Sequence, residues 1–315
     1  MSKLSNTSGL VLVIGSSGLD VVARLENSLE MGTSNPALIR TSFGGVARNV
    51  AENLARLGQP VSLLSVIGKD RLGEDILAHA RGAGVDVSAV YTTDKYPTGF
   101  YMGVIDEFGG RQFAFDDMRV MDELTDAYLV YNEDLFEKAS LLFLDSNLSE
   151  SALKKAFSLA RKHNLPVCAD PTSSSLAARL KPYLRQIKLI VPNSLEAGIL
   201  INHPFDPSNS QDSQEATRKL VNKGVEIAFV TLGEFGMCYA NSETVGYVPA
   251  IRTTVADPTG AGDALAAAVI YGLMNDIEID DTARLGVSAA TLALKYPGTV
   301  YPDLSLEKLY SELAI

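Results

Sequence analysis

Cysteine and histidine are scarce in this sequence, and their scarcity excludes several kinds of site. The two cysteines, Cys168 and Cys238, lie in apolar, strand-like segments. We expect them to be small core residues in a reducing compartment, which excludes a disulfide framework. The three histidines, His79, His163 and His203, form no recognisable ligand cluster. A zinc site or a catalytic triad built on histidine is therefore not expected.

Long apolar runs and an excess of basic residues are also missing. No apolar run reaches the roughly 18 residues that a membrane-spanning helix needs. The N-terminal MSKLSNTSGLVLVIGSSG has a short apolar run that enters a glycine turn, so no signal peptide is expected. A net charge of −11 disfavours binding to nucleic-acid backbones, although a local pocket can still bind a small anion. We expect a cytoplasmic protein with neither a membrane nor a nucleic-acid partner.

Strand and helix patterns alternate along most of the 315 residues, of which 46% are apolar, enough for a large core. The alternation predicts an α/β fold with a parallel sheet and helices on both faces. The predicted strands span residues 10–15, 61–68, 139–145, 166–170, 187–193 and 226–233. The predicted helices span residues 46–58, 70–84, 149–164, 213–224, 260–274 and 279–295.

Two segments, at about 20–43 and 96–116, break the alternation because they are extended and have no helical pattern within them. The stretch FGGRQ at 108–112 is typical of a hairpin tip. We interpret the two segments as a small antiparallel sheet, a lid that projects from a single domain of residues 1–315. The alternative is that they extend the edge of the main sheet.

The stretch TTVADPTGAGDALAAAVIYGL at 253–273 places acidic residues around a glycine-rich turn that enters an apolar helix. The first helical turn would consist of Gly260, Ala261, Gly262 and Asp263. Backbone N–H groups in a first turn lack intrahelical partners and can receive a phosphate. A carboxylate there would repel the anion, which makes sense if Asp263 accepts the proton of a hydroxyl that attacks phosphorus. The alternative is an ordinary helix N-cap.

Two N-terminal segments also carry candidate ligand contacts. Gly44 and Gly45 precede the helix at 46–58 and permit close approach of a ligand, and Asn49 lies one turn inside that helix. VIGSSGLD at 13–20 would place the Asp20 carboxylate after a strand. It lacks the spacing of a dinucleotide fingerprint, and we reject that function for it. A glycine turn before a surface helix is the plain alternative for the first segment.

Two later segments suggest a nucleotide and a metal. In VPNSLEAGIL, Asn193 and Glu196 follow a strand at a spacing that can set an amide and a carboxylate near hydrated Mg²⁺. The plain alternative is a solvated helix start. In VTLGEFGMCYA, Gly233 and Gly236 lie around a strand end and suit a backbone that passes close to a nucleotide.

Taken in order, these segments resemble the ribokinase-like (PfkB) family of carbohydrate and nucleoside kinases over essentially the whole chain. The stretches that carry the resemblance are GGVARNVAENLARLG, NSLEA, VTLGEFG and DPTGAGD. The resemblance implies a doubly wound α/β core with a small β lid, and phosphoryl transfer from Mg·ATP to a sugar hydroxyl. It makes Asp263 the catalytic base and the backbone N–H groups of 260–263 the anion hole.

The resemblance also implies roles for the other motif residues. Mg²⁺ and the phosphates would be organised by Asn193 and Glu196. The sugar hydroxyls would be held by Asp20, Gly44, Gly45 and Asn49. The ATP site would be lined by Thr231, Gly233, Gly236, Gly260 and Gly262. Many members bind K⁺ near the anion hole, where the candidates are Asp257, Thr259 and Gly298.

Several segments are together similar to the pseudouridine kinases of this family, which phosphorylate the 5′-hydroxyl of that nucleoside. They are TSNPALIRTSFGGVARN, FDDMRVMDELTDAYL, SNLSE and PDLS. A uracil ring needs amides or hydroxyls that match its polar edges. The candidates for these contacts are Ser34, Asn35, Thr98, Asp117 and Asn147. Phe43, Ala47 and Asp116 replace the usual proline, glycine and asparagine of the subgroup.

Two alternatives to a pseudouridine kinase stay open. One is another kinase of the family, acting on uridine, a purine nucleoside, ribose or a fructose-type sugar. The other is a catalytically silent sugar- or nucleotide-binding protein, which would lack the base or the glycines. The lid segments also carry apolar side chains such as Phe113 and Phe115 and expose sheet edges. Pairing two lids in a homodimer would cover them.

Overall fold

An eight-stranded sheet lies at the centre of the fold in the computed structural model, which describes residues 9–106 and 110–313. In chain order, the strands are β1 (Leu10–Ile14), β2 (Gly18–Leu25), β3 (Ala37–Gly44), β4 (Val61–Leu64), β5 (Val66–Gly68), β6 (Tyr91–Thr93), β7 (Gly99–Ile105), β8 (Arg111–Asp117), β9 (Ala139–Asp145), β10 (Val167–Asp170), β11 (Leu189–Ile190), β12 (Ile227–Thr231), β13 (Met237–Ala240) and β14 (Val245–Val248). The α-helices are α1 (Val46–Arg56), α2 (Arg71–Gly82), α3 (Asp126–Tyr131), α4 (Glu133–Lys138), α5 (Glu150–Lys162), α6 (Ser194–Ile201), α7 (Ser210–Asn222), α8 (Ala261–Met274), α9 (Ile279–Leu294) and α10 (Leu306–Leu313). Short 3-10 helices span Arg119–Glu123, Ala177–Gln186 and Gly233–Phe235.

The main sheet has the order β14-β13-β12-β11-β10-β9-β1-β4. Neighbours are parallel from β12 to β4, whereas β13 and β14 are antiparallel additions at one edge. Alternate residues of β1 enter different cores: Val11 and Val13 pack with residues of α1 and α8, and Leu12 and Ile14 pack with residues of α5. Helices therefore cover both faces, and the predicted α/β architecture is confirmed.

Several predicted boundaries differ from the structure. The predicted strand 61–68 divides into β4, which pairs with β1, and β5, which pairs with β6 in a separate two-stranded sheet. A continuous apolar run does not reveal where a chain leaves one sheet, because both parts are buried. The predicted strand 187–193 shortens to the two residues of β11. Strands β13 and β14 and the short helices α3, α4 and α10 were not predicted.

The lid is a separate four-stranded sheet of order β3-β2-β7-β8, so the alternative of an extended main-sheet edge is wrong. The outer pairs are antiparallel, but β2 and β7 are parallel, which corrects the expectation of an antiparallel sheet throughout. The long connection from β3 to β7 through α1 and α2 permits the parallel pairing. Phe108 and Gly109 of the expected hairpin tip lie outside the described residues, as do residues 1–8.

The crevice at the carboxyl ends of the parallel strands is where α/β sheets of this kind bind ligands. The lid begins there, because β2 starts four residues after the end of β1. Strands β9, β10 and β12 end at the same edge with Asp145, Asp170 and Thr231. Within residues 9–106 and 110–313, every helix is too short or too polar to span a bilayer.

Candidate active site

Helix α8 opens at this edge on a turn that only glycine can form. Gly260 has a φ of +82°, and a Cβ there would lie 2.0 Å from the carbonyl oxygen of Thr299. One residue into the helix, a Cβ on Gly262 would meet no heavy atom within 4 Å. Gly262 is exposed, and the backbone N–H groups of the first turn, which also includes Ala261, have no carbonyl partner within the helix. Such a turn can bind an anion.

Asp263 lies in this first turn and is bonded to the other glycine motif of the chain. Asn49 of α1 donates its Nδ2 to Oδ2 of Asp263 across 2.7 Å. Both side chains are buried. Burial raises the pKa of the Asp263 carboxyl to about 7, against the opposing effects of the Asn49 hydrogen bond and the Arg48 charge. A carboxyl that titrates near neutral pH is well suited to general-base catalysis.

Asp20 brings the lid to the same place. It lies on β2 and is buried, and burial raises the pKa of its carboxyl to about 6, while the Arg48 charge acts in the opposite direction. A Cβ on Gly44 would lie 2.1 Å from Oδ1 of Asp20, so the glycine makes room for the carboxylate. Gly45, with a φ of +92°, then turns the chain into α1. The structure thus gathers the sugar-site residues predicted from the two N-terminal segments beside Asp263.

Asn193 and Glu196 form a reciprocal capping box at the start of α6. Oδ1 of Asn193 accepts from the backbone N–H of Glu196 at 3.0 Å, and Oε2 of Glu196 accepts from the backbone N–H of Asn193 at 2.9 Å. The alternative of a solvated helix start is therefore right about the cap, but Glu196 is buried rather than solvated. This burial raises the pKa of the Glu196 carboxyl.

A second carboxylate, that of Asp170 at the end of β10, is also buried, and it interacts electrostatically with the carboxylate of Glu196. Its pKa is raised well above its usual value by burial and then by the charges of Glu196 and Asp263. Carboxylate and amide oxygens suit Mg²⁺, which commonly keeps waters and takes substrate phosphates as further ligands. No group of three His, Cys, Asp or Glu side chains in the described part of the chain could hold a metal ion. The oxygen donors of Asn193 and Glu196 fit Mg²⁺, which usually takes only one or two carboxylates from the protein.

The residues predicted for ATP lie at the ends of β12 and the loop that follows it. Thr231 ends β12 and bridges to Asn193, and its backbone N–H donates to the carbonyl of Pro192 at 3.0 Å. Gly233 begins the following 3-10 helix, and Gly236 ends it with a φ of +99°. The predicted ATP and Mg²⁺ residues are thus neighbours at one edge of the sheet.

The three residues named for K⁺ lie in two adjoining loops. Oδ1 of the buried Asp257 accepts from the backbone N–H of Thr259 at 2.8 Å. Gly298 lies in the loop whose next residue, Thr299, packs its carbonyl against Gly260. The first loop leads directly into the first turn of α8, and the second contacts that turn through Thr299.

Five residues were predicted to contact the nucleobase, and one of them, Asn147, lies beside the site. Its Nδ2 donates to Oγ of Ser16 at 3.0 Å, just beyond the carboxyl ends of β9 and β1. Thr98 is buried and bonded to the N-cap of α2, since its Oγ1 donates to Oδ1 of Asp70 at 2.7 Å. This hydrogen bond joins α2 to the lid, because Thr98 immediately precedes β7.

Ser34 and Asn35 lie in the loop between β2 and β3, at the far end of the hairpin from Gly44. Oδ1 of Asn35 accepts from the backbone N–H of Glu30 at 2.8 Å, which closes this loop. The structure does not bring either residue to Asp263. The sequence pattern did not indicate that this end of the hairpin lies away from Asp263.

Asp117 lies on the other face of the lid from Asp20, because it is in register with Phe100 and Leu19. Its carboxylate is held by Arg119, whose Nη2 lies 2.6 Å from Oδ2. The row that shares the face of Asp20 contains Ser42, Tyr101 and Asp116. Asp117, the predicted contact to the nucleobase, is thus one residue along β8 from Asp116, whose side chain shares the Asp20 face.

Four charged residues of the site were missed in the sequence: Asp170, described above, and Asp145, Arg48 and Glu52. Asp145 is fully buried and accepts from the backbone N–H of Ser16 at 2.8 Å and of Ala47 at 3.2 Å, which joins β9 to the start of α1. Arg48 and Glu52 are each 1% exposed. Charged residues four apart on a helix usually indicate a solvated face, so the only available signal was the position of Arg48 next to Asn49.

Comparison with known proteins agrees with this geometry. A sequence profile described as pfkB family carbohydrate kinase matches residues 8–305. The pseudouridine kinase of Escherichia coli K12 is 31% identical over 302 residues, which are 96% of this chain and 95% of that protein. The guanosine-inosine kinase of Exiguobacterium acetylicum is 27% identical over 282 residues, which are 89% of this chain and 92% of that protein.

A solved structure shows the same arrangement of sheets. Arabidopsis thaliana ribokinase complexed with ribose and ATP superposes with a TM-score of 0.84, covering 98% of this chain and 99% of the ribokinase. The two sequences are 21% identical. The likeness establishes the ribokinase-like fold, with its mostly parallel sheet and its separate small sheet.

Proposed function

The chain belongs to the pfkB family of carbohydrate kinases, and on that premise we propose that it transfers the γ-phosphoryl group of Mg·ATP to the 5′-hydroxyl of pseudouridine. Membership makes the protein a phosphotransferase that acts on a sugar or nucleoside hydroxyl. The observation that carries the proposal is the position of Asp263. It is a buried carboxyl with a raised pKa, in a glycine-containing first helical turn whose backbone N–H groups have no intrahelical partner.

In the proposed reaction, the 5′-oxygen attacks the γ-phosphorus while its proton passes to the carboxylate of Asp263. The bond from the γ-phosphorus to the β,γ-bridging oxygen breaks, and ADP leaves. The backbone N–H groups of residues 260–263 stabilise the negative charge on the equatorial oxygens of the phosphoryl group. Positioning and electrostatics thus supply most of the catalysis, as is usual in phosphoryl transfer.

The sugar would be held between the lid and α1. Asp20 and the Asn49 amide offer acceptors and a donor for ribose hydroxyls, and Gly44 and Gly45 let the sugar approach the backbone. Asn49 then contacts both the sugar and the catalytic base Asp263, so that one residue takes part in substrate binding and in proton transfer. The buried position of Asp20 gives its hydrogen bonds to a neutral sugar more weight than they would have in water.

Thr231, Gly233 and Gly236 would line the ATP site, and Asn193 and Glu196 would hold Mg²⁺ with the phosphates. The ion supplies neutralisation of charge on the β- and γ-phosphates when it is bound. We also propose K⁺ for the loops that carry Asp257, Thr259 and Gly298, because they adjoin the first turn of α8.

The choice of pseudouridine rests on the relative that is 31% identical over nearly the whole chain. The polar row of Ser42, Tyr101 and Asp116 beside Asp20, together with Asn147, supports a site that extends beyond the sugar to a polar ring. The second candidate substrate is a purine nucleoside, which the similarity to a guanosine-inosine kinase favours.

We further propose that two lids pair in a homodimer. Ile39, Phe113 and Phe115 are 67%, 41% and 61% exposed. The register places them on the lid face opposite to that of Asp20. A second copy that covers this face would leave the substrate side of the lid unobstructed.

The test is ADP release from Mg·ATP with purified protein and a panel of acceptors, with and without K⁺. The panel comprises pseudouridine, uridine, cytidine, adenosine, guanosine, inosine, ribose and fructose. We expect the highest kcat/KM with pseudouridine and little turnover with uridine. Preference for inosine or guanosine would transfer the proposal to the second candidate, and silence across the panel would contradict both.

A further inference from the structure

Glu52 lies at the centre of a buried charge cluster behind the active site. Its Oε2 accepts from Nη1 of Arg48, and its Oε1 accepts from Nη2 of Arg56 at 2.6 Å. The Nδ1 atom of His79 lies 3.3 Å from Oε2. Glu52 and Arg48 are both almost fully buried, whereas Arg56 is partly exposed at the rim.

The Arg48 guanidinium connects this cluster to the catalytic base. Its Nη2 donates to Oδ1 of Asn49, and Nδ2 of the same amide donates to Asp263 at 2.7 Å. Because Arg48 can only donate, it determines which side of the Asn49 amide carries the oxygen. The amide nitrogen is thereby directed to Asp263.

The same guanidinium also connects the lid to α8. It donates to the backbone carbonyls of Phe43 and Gly44 at the end of β3, and to Oγ1 of Thr299 at 3.0 Å. The carbonyl of Thr299 is the group that packs against Gly260. A single side chain therefore touches the end of the lid, the Asn49 amide and the loop beside the anion-binding turn.

A buried ion pair is weak evidence for a role in stability. Removing two charges from water costs free energy that their attraction repays only with good geometry, and well-packed apolar residues are often as stable or more so. A pair placed between the core and the catalytic base can act instead by fixing orientation. Catalytic geometry is demanding, because small displacements of a reacting group lower the rate steeply.

The proposed kinase function is the premise here. From these contacts we propose that Glu52 and Arg48 are positioning residues for phosphoryl transfer. Glu52 anchors the Arg48 guanidinium, Arg48 orients the Asn49 amide, and the amide orients the Asp263 carboxylate toward the acceptor hydroxyl.

The charges around Asp263 make the proposal measurable as a pH profile. The carboxylates of Asp20, Asp145 and Asp170 surround it, and Arg48 is the cation that opposes burial in setting the pKa of Asp263. Loss of Arg48 raises that pKa further. The acid limb of kcat/KM then moves to higher pH, because more of the base is protonated at a given pH.

The experiment compares Glu52→Gln, Arg48→Met and Arg48→Lys with the parent on the best acceptor of the panel. We expect kcat to fall about 10–100-fold in Glu52→Gln and Arg48→Met, with KM for ATP little changed. Arg48→Met moves the acid limb upward by about one pH unit or more. Arg48→Lys restores the position of the limb because it keeps the charge, but not kcat, because it lacks the planar fork.

Arg56→Met is the matched control, since Arg56 contacts the same carboxylate but not Asn49. It is expected to keep the parent kcat and pH profile even where the melting temperature falls. Parent-like kcat and acid limbs in the three variants, or an equal loss of kcat in Arg56→Met, would overturn the proposal. A parent enzyme that is silent on every acceptor would instead overturn the kinase function on which it rests.

Discussion

Asn49 donates a hydrogen bond to Asp263 across 2.7 Å, although the two residues are 214 positions apart in the chain. The bond joins the first turns of two helices, α1 and α8, each of which follows a glycine-rich turn. It brings the group proposed to bind the sugar next to the group proposed to take its proton. Several expected outcomes depend on this contact and its surroundings.

Asp263→Asn is expected to lower kcat by about 10²–10⁴-fold, because the amide cannot accept the proton of the acceptor hydroxyl. ATP binding, measured by calorimetry, is expected to persist, since the backbone N–H groups of the turn are unchanged. Asp281→Asn on the exposed side of α9 is the matched control and is expected to have parent activity. Turnover of Asp263→Asn at the parent rate would show that another group is the base.

The raised pKa of Asp263 predicts opposite effects of pH on activity and on stability. Activity needs the ionised carboxylate, so kcat/KM is expected to fall as the pH decreases below about 7. In the folded protein the pKa of Asp263 lies above the ordinary carboxyl value of 3.8, so the stabilisation present below about pH 4 is lost as the pH rises through about 7.

Asp263→Asn removes the free-energy cost of burying an ionised carboxylate. It is therefore expected to raise the melting temperature at pH 8 by about 2 °C or more. The difference between variant and parent is expected to shrink as the pH falls from 7 towards 4. Calorimetric melts of both proteins across this range are the measurement. A gain in stability that is the same at pH 5 and pH 8 would contradict the raised pKa.

Gly260 and Gly262 are expected to differ when each is replaced by alanine. Gly260→Ala strains a positive φ and collides with the carbonyl of Thr299, so it is expected to unfold the turn and lower the melting temperature. Gly262→Ala meets no protein atom and is expected to keep or slightly raise stability, by up to about 1 kcal/mol.

An alanine methyl at position 262 would nevertheless project into the open space beside the turn proposed to bind the transferred phosphoryl group. We therefore expect Gly262→Ala to lower kcat by at least about tenfold, as the loss of a precisely placed oxyanion contact does. Melting curves and steady-state kinetics on the two variants separate the effects. Full activity in Gly262→Ala would place the transferred phosphoryl group elsewhere.

Glu196→Gln tests the metal role of the capping box without removing the cap. The glutamine Oε1 can still accept from the backbone N–H of Asn193, so the start of α6 is expected to survive. Loss of the charge is expected to weaken Mg²⁺ by about 10–100-fold, measured as the Mg²⁺ concentration that gives half-maximal rate. Asn193→Ala is the converse variant and is expected to cost about 1 kcal/mol of stability. An unchanged Mg²⁺ dependence in Glu196→Gln would leave the pair as a cap alone.

Paired substitution of the apolar lid face tests the homodimer. The parent is expected to have the mass of two chains by light scattering at micromolar concentration. Ile39→Lys combined with Phe115→Lys is expected to have the mass of one chain, because it places charge on the face that the partner would cover. A parent mass of one chain would contradict lid pairing.

The sequence by itself determined the features that depend on local pattern. Alternating runs predicted the α/β fold, and DPTGAGD located Asp263 at the start of α8, because helix starts and glycine turns have signatures within a few residues. The extended segments predicted the lid because the absence of a helical pattern is also visible within a short stretch of sequence.

The tertiary structure alone decided what depends on pairing and burial between distant segments. Strand register set Asp116 rather than Asp117 on the face of Asp20, since a shift of one residue reverses the face and leaves composition unchanged. Packing enclosed Arg48 and Glu52, whose spacing alone is typical of a solvated helix. Whether a charge faces water or a catalytic base is set by the elements that cover it, and those come from other parts of the chain.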